Sequence, residues 1–450
     1  MLKKLLKGSA KLYIGYGVTL LAGFIQLKLL SVRLSMTDLG LYFALQSAVA
    51  LVGELAKAGF NLVFAHYVPR FQAEGRDPRA LAFWPLLGHL AIGIVLGATA
   101  LVISFFVGGS FAGNLPLAVM FFYAMTHYSL AASFVLATRR PGLYSFLNSL
   151  GAVGYALLLL VFMGSLNLEI ALLSGAASYL AMSAVAWLVI RPRPGNFSQL
   201  REVLAYWKYA LMTTALGPIF TYADRLIAAA FLSYEAVAIF GVARKIETIG
   251  RNILGTPLDL LAPESSYNWL KGDRQDILRQ LGRFTRFYFL WGLAVVALIP
   301  LLGKPAILLV SSSQYLDALP YLLILWTGAT LGTLYYPYTT VARGVGNMKI
   351  FFFSDLIWTG TYLTIALSLT WLLGLWALAV APLFASAFTL LFARTAVFGY
   401  LGEGRRAVWF EGIAFVCASG LAIAGLFNIW WAVGAIVVCG IYGVWAWKRV

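Results

Sequence analysis

Apolar residues run in long stretches along this chain, and polar residues gather in the gaps between them. Runs of 18 or more apolar positions recur, and each is long enough to cross a hydrocarbon core of about 30 Å as a helix. The pattern predicts about fourteen such helices, at residues 9–33, 38–66, 81–108, 112–137, 142–165, 168–190, 204–231, 236–262, 285–311, 317–341, 349–373, 375–398, 407–427 and 429–447. The last two are short, so the expected number is 12 to 14. The N-terminal run extends to residue 30, holds Lys11 and Lys28, and has no convincing cleavage site, so it reads as a retained first span rather than a signal peptide.

The charges orient these spans. Lys3, Lys4 and Lys7, then Arg70, Arg76 and Arg79, then Arg139 and Arg140, then Arg191, Arg193 and Arg201 fall in every second connection, and the pattern continues to Lys448 and Arg449. The opposite connections, near 35, 110, 166, 233, 313, 374 and 428, are short and nearly free of positive charge, with Arg33 and Lys304 the nearest exceptions. Lys and Arg mark the cytoplasmic side, so both termini are expected there. No connection exceeds about 25 residues, which leaves no room for a domain outside the membrane.

Composition agrees with the pattern. Of 450 residues, 61% are hydrophobic and 11% charged, against about 25% charged in soluble domains. The net charge of +16 is spread over helix ends rather than clustered, which argues against nucleic-acid binding. Cys417 and Cys439 lie inside late apolar runs, and His66, His89 and His127 have no metal-ligand spacing, so no metal, cofactor or disulfide framework is expected. There is no GK[ST] phosphate loop and no catalytic constellation. Any transport would draw on an ion gradient, the membrane potential or downhill disposal of the substrate.

The chain reads as two halves. A lobe at 1–190 with six helices is followed by a Pro- and charge-rich linker at 191–203, a second lobe at 204–400, and additional helices at 401–450. Leu34-Ser35 precedes MTDLGLYF, and Leu232-Ser233 precedes YEAVAIFG, which sets Tyr42 opposite Phe240. Parallel repeats of this kind are a transporter architecture with substrate bound between the halves.

Ionisable residues inside a bilayer cost about 2.5–3.5 kcal/mol each and are functional candidates by default. They concentrate in the first two spans of each half. The first span offers Lys28. The second carries Gln46, Glu54, Lys57 and Asn61, of which the last three share one face by their spacing. Asp224 and Arg225 stand side by side in the seventh; on a helix they point about 100° apart, so each is expected to reach a different neighbour. The eighth carries Arg244, Lys245, Glu247, Arg251, Asn252 and Asp259, with Arg244, Glu247 and Arg251 on one face. Asp355 follows later, and Tyr335, Tyr336 and Tyr338 form either an interfacial aromatic belt or part of a sugar path. Two readings of these charges stand side by side: a water-filled cavity for an anionic ligand, or ion pairs that hold helices together.

The runs LLAGFIQLKLLSVRLSMTDLGLYF and YADRLIAAAFLSYEAVAIFGVARKIE resemble bacterial polysaccharide and O-antigen flippases of the multidrug/oligosaccharidyl-lipid/polysaccharide exporter superfamily. Leu34, Ser35, Asp38, Gly40 and Tyr42 match the turn after the family's first helix. Asp224, Arg225, Leu226, Ile227, Ala236 and Val237 match its seventh-helix pattern, with Phe240 in place of the usual tyrosine and Ala238 in place of glycine. The resemblance implies an all-α polytopic membrane protein with two six-helix lobes in parallel pseudo-repeat around a central cationic cavity, plus two C-terminal helices. It also implies translocation of undecaprenyl-pyrophosphate-linked oligosaccharide across the bacterial cytoplasmic membrane. Of the candidate site residues only Asp224 and Arg225 are carried over by the family's motif; read from their places in the spans together with it, Lys28, Lys57, Arg225, Arg244, Lys245 and Arg251 are expected to bind substrate. Glu54, Asp224, Glu247, Asp259 and Asp355 would couple H⁺ or Na⁺ or brace the fold, with Gln46, Asn61 and Asn252 as polar lining. Expected partners are the lipid-linked saccharide, membrane lipids, the coupling ion and other glycan-assembly proteins. A drug or cation exporter of the same superfamily, or a membrane-embedded glycan polymerase or ligase, are the alternatives.

Overall fold

The computed structural model describes residues 2–138, 140–194, 197–255, 261, 265, 268–269, 271–402 and 434–438. Among these residues there is helix and no strand. Ten helices are long and apolar enough to cross a bilayer, and the chain is a multi-pass membrane protein. Contacts group it into two compact units, residues 1–229 and 230–450.

The first unit is built from α1 (Leu2–Arg33), α2 (Met36–Ala56), α3 (Phe60–Ala73), α4 (Arg79–Val107), α5 (Gly109–Ala118), α6 (Ala124–Ala137), α7 (Pro141–Val161), α8 (Leu168–Ile190) and most of α9 (Phe197–Phe231). A five-residue π-helical turn, Val119–Tyr123, joins α5 to α6, and together they make one span. The second unit holds α10 (Tyr234–Gly255), α11 (Arg274–Val310), α12 (Ala318–Gly344), α13 (Met348–Leu373) and α14 (Leu375–Leu401). Helices α9 and α10 have the length of spans but are less apolar than the ten. With them, twelve of the expected spans are accounted for. The expected spans at 407–427 and 429–447 fall almost wholly outside the described residues.

Local chemistry sets the helix ends. Ser35 caps α2 by accepting from the Asp38 amide at 3.0 Å, and its hydroxyl donates to the Asp38 carboxylate at 2.8 Å. Asn167 caps α8 in the same way, accepting from the Ile170 amide at 2.8 Å. Ser233 repeats the device at the head of α10, accepting from the Ala236 amide at 3.3 Å. Tyr42 and Phe240, which follow these two turns at matching positions, are both buried. The sequence repeat is therefore also a repeat of local structure.

The second expected span is not one helix. Lys57 ends α2, Ala58 and Gly59 take left-handed backbone angles of φ 49° and 75°, and α3 restarts at Phe60. The break lies against α9. The Trp207 indole donates to the Ala58 carbonyl at 2.8 Å, and a Cβ at position 59 would stand 2.7 Å from the Ala210 carbonyl carbon. Glycine is required there twice over, by its φ and by the close approach. Contacts thus group α9, up to residue 229, with the first unit.

Aromatic rings fill the interior of the first unit, with Phe64, Phe71 and Phe134 at the centre of one cluster. In the second unit α12 is the buried helix, flanked by α11 and α14. By contrast the later part of α4, from Leu90 to Val107, is apolar and largely exposed, the signature of a helix face toward lipid.

Candidate functional site

Each unit gathers ionisable side chains inside its helices. In the first, Lys57 is buried and its ammonium donates to Glu54 at 2.6 Å and to the Ser129 hydroxyl of α6 at 3.0 Å. The i,i+3 pairing read from the sequence is present. Asn61 does not extend it: the break at 57–59 resets the helical phase, so the i,i+4 relation from Lys57 to Asn61 has no continuous helix to act through.

Two turns back along α2, Gln46 accepts from the Arg225 guanidinium of α9 at 3.2 Å. Arg225 also donates to the Thr221 carbonyl at 3.1 Å and lies 5.7 Å above the Tyr222 ring. Tyr222 is in electrostatic range of Glu54, so α2 and α9 form one polar seam. Asp224 is buried, and its carboxylate is 3.5 Å from the Arg225 Nε. This corrects the expectation that the two side chains part. Their Cβ atoms do diverge, but the arginine stem is long enough to fold its guanidinium back toward its neighbour while the tip reaches Gln46.

In the second unit the spacing on α10 is realised. Glu247, 1% exposed, takes Arg244 at 3.1 Å on one carboxylate oxygen and Arg251 at 3.3 Å on the other. The Thr248 hydroxyl donates to the same carboxylate at 3.3 Å. Two guanidiniums thus share one buried carboxylate. Tyr335 and Tyr336 of α12 flank Arg251, and Tyr335 is in electrostatic range of Asp355 on α13. Tyr335 and Tyr338 are buried, which rules out the interfacial belt for these two rings. Lys28 and Lys245 are half-buried on α1 and α10. Gln26, near Lys28, donates to the Ala152 carbonyl at 2.7 Å and so ties α1 to α7. The side chain of Asn252 and all of Asp259 lie outside the described residues.

The sequence reading passed over one arrangement. His89 and His127, 38 residues apart, are both buried and meet Nδ1 to Nδ1 at 3.3 Å. Trp187 Nε1 donates to His127 Nε2 at 3.0 Å, and His89 Nε2 lies 3.0 Å from the Gly53 carbonyl. An indole N–H only donates and a carbonyl only accepts. The directions therefore run one way, from Trp187 through the His127 Nδ1–H to His89 and on to Gly53, through two neutral rings of opposite tautomer. The chain ties α8, α6, α4 and α2 together one residue before Glu54. Wide spacing along the sequence hid it, because its members meet only when four helices pack. Among the described residues no group of three or more His, Cys, Asp or Glu is placed to hold a metal.

Known proteins resemble this arrangement at two levels. The sequence matches the family model described as "Polysaccharide biosynthesis protein" over residues 5–266. No curated protein sequence matches the chain. Among solved structures, a lipid II flippase MurJ in an inward closed conformation superposes with a TM-score of 0.71 at 12% identity, covering 99% of this chain and 98% of that one. An inward-facing multidrug resistance MATE family transporter of the MOP superfamily gives a TM-score of 0.65 at 15% identity, covering 86% and 95%. A MOP superfamily transporter from Pyrococcus furiosus, described as having a binding pocket of reverse polarity, gives 0.65 at 16%, covering 89% and 97%. At these identities the likeness is one of fold: the MOP flippase and transporter fold.

Proposed function

The chain belongs to the polysaccharide biosynthesis protein family, and from that premise we propose that it flips an undecaprenyl-pyrophosphate-linked oligosaccharide from the inner to the outer leaflet of the bacterial cytoplasmic membrane. The saccharide is a repeat unit of O-antigen, capsule or exopolysaccharide, and movement is by alternating access with both termini cytoplasmic. One observation carries the reading. Arginines are held inside the helices of both units, Arg225 beside Asp224 and Gln46, and Arg244 and Arg251 on Glu247. Guanidinium forks suit the oxygens of a pyrophosphate. Around these sites the cations Lys57, Arg225, Arg244, Lys245 and Arg251 stand with the carboxylates Glu54, Asp224 and Glu247, whereas a carrier of cationic drugs needs the opposite balance.

In this reading the buried tyrosines beside Arg251 meet the sugar head, and Lys28 adds a further cation. Glu54, Asp224, Glu247 and Asp355 are the groups available to couple H⁺ or Na⁺. The substrate, the ion, membrane lipids and neighbouring glycan-assembly proteins are the partners. The test is Arg225→Ala and Arg251→Ala in a strain that depends on this gene product. Lipid-linked glycan should accumulate on the cytoplasmic leaflet of both variants while the protein stays at normal level in the membrane; normal export from both would end the proposal.

A further inference from the structure

A second polar site lies at one end of the first unit, away from the charges just described. The turn after α3, the start of α4, the end of α6, the start of α7 and the end of α8 surround a cavity of about 260 Å³. Its floor is apolar, with Phe134, Leu143 and Ile190, and its rim carries Gln72, Thr138, Arg79 and Arg140. Asp77 is the one carboxylate in the lining, and Arg79 takes it up, Nε to Oδ1 at 2.9 Å and Nη2 to Oδ2 at 2.9 Å. The hydrogen bonds from Arg79 hold the Asp77 carboxyl below the usual carboxylate range, with Arg193 also in electrostatic reach. Asp77 thus stays ionised at neutral pH and its charge is spent on Arg79. Arg140 is exposed and makes no ion pair among the described residues. Two guanidiniums against one carboxylate in the lining leave a net charge of +1 around the opening, with Arg193 in electrostatic reach of Asp77.

We propose that this cavity takes the phosphate of an anionic membrane lipid, with the headgroup at Arg140 and Arg79 and an acyl chain on the apolar floor. Two features favour a lipid over a free anion. The floor continues onto an exposed apolar surface, with Leu188 at 73% and Val189 at 37% exposure beside Ile190. The cavity also lies at the Arg79 end of α4, the helix whose exposed apolar residues begin two turns on at Leu87 and Leu90. A basic pocket between helices at a membrane surface is the arrangement that retains anionic headgroups. Inorganic phosphate would satisfy the rim and leave the floor unused. The proposal does not rest on the flippase reading.

The experiment uses the full chain in detergent, with lipid adducts followed by native mass spectrometry. The probes are dioleoyl-phosphatidylglycerol, phosphatidylcholine of the same chains, a polyprenyl phosphate and inorganic phosphate. Phosphatidylglycerol should be retained over phosphatidylcholine, and Arg140→Gln should weaken that retention about tenfold, the loss of one charge-assisted contact. Lys304→Gln, which removes an exposed cation elsewhere, should change nothing. Equal retention of the two phospholipids, or unchanged retention in Arg140→Gln, would overturn the proposal. Displacement of the lipid by inorganic phosphate alone, or preference for the polyprenyl phosphate, would overturn the phospholipid assignment. Among the described residues Arg140 has no ion partner, so its replacement breaks no ion pair there.

Discussion

At the scale of single residues, the Glu54–Lys57 pair separates the two roles open to a buried charge. Lys57 is buried and Glu54 partly exposed, so removing the carboxylate strands an ammonium among helices. Glu54→Gln should therefore destabilise the protein by about 1–3 kcal/mol, less than for a fully buried pair because water still reaches Glu54. Adding Lys57→Met should recover most of that loss, read as the melting temperature of the purified protein in detergent. If the pair only holds helices, export recovers with stability; if Lys57 meets substrate, export stays low in the double variant. The i,i+3 spacing made this pair legible in the sequence. The histidine chain was not legible, because nothing in one dimension brings residue 89 to 127 or 187, and only helix packing makes their hydrogen bonds.

At the scale of elements, the most informative feature is the break between α2 and α3. Hydropathy does not mark the break at residues 58–59, since alanine and glycine are apolar enough not to interrupt a span. What ends the helix is the approach of α9, which closes on Gly59 and supplies the Trp207 donor to the Ala58 carbonyl. Gly59→Ala should cost about 2–5 kcal/mol, combining a left-handed non-glycine residue with a steric clash. Ala58→Gly should instead leave stability unchanged or raise it by about 1 kcal/mol, since alanine already pays for a left-handed φ there. Thermal melts of the two variants check both signs, and similar losses in both would mean that the break is not set by backbone conformation. Other boundaries were legible from capping chemistry: Ser35, Ser233 and Asn167 are short polar side chains at the head of apolar runs, and each caps a helix.

At the scale of the whole molecule, the alternation of positive charge among the connections makes a topological claim. The cavity lined by Gln72, Arg79, Thr138, Arg140 and Ile190 brings three arginine-bearing connections to one end of the first unit, as strict alternation requires. With Cys417→Ser and Cys439→Ser as background, Gln72→Cys should resist a membrane-impermeant maleimide applied from outside, and Ser110→Cys should react. Both positions are exposed, so reversed labelling would invert the proposed orientation. The amino-acid sequence by itself determined that this chain lives in a membrane, where its twelve described spans run, which helices carry charge, and which turns repeat. Those properties follow from short-range rules: hydrocarbon thickness sets span length, helical period sets i,i+3 and i,i+4 pairs, and capping sets helix starts. Tertiary structure alone decided that α2 breaks at Gly59, that Arg225 turns to Asp224 and Gln46, that the tyrosines beside Arg251 are buried, and that two histidines join four helices. Each of these depends on a partner far along the chain, and the bilayer makes that partner decisive, because a polar group among apolar helices is tolerated only where another polar group meets it.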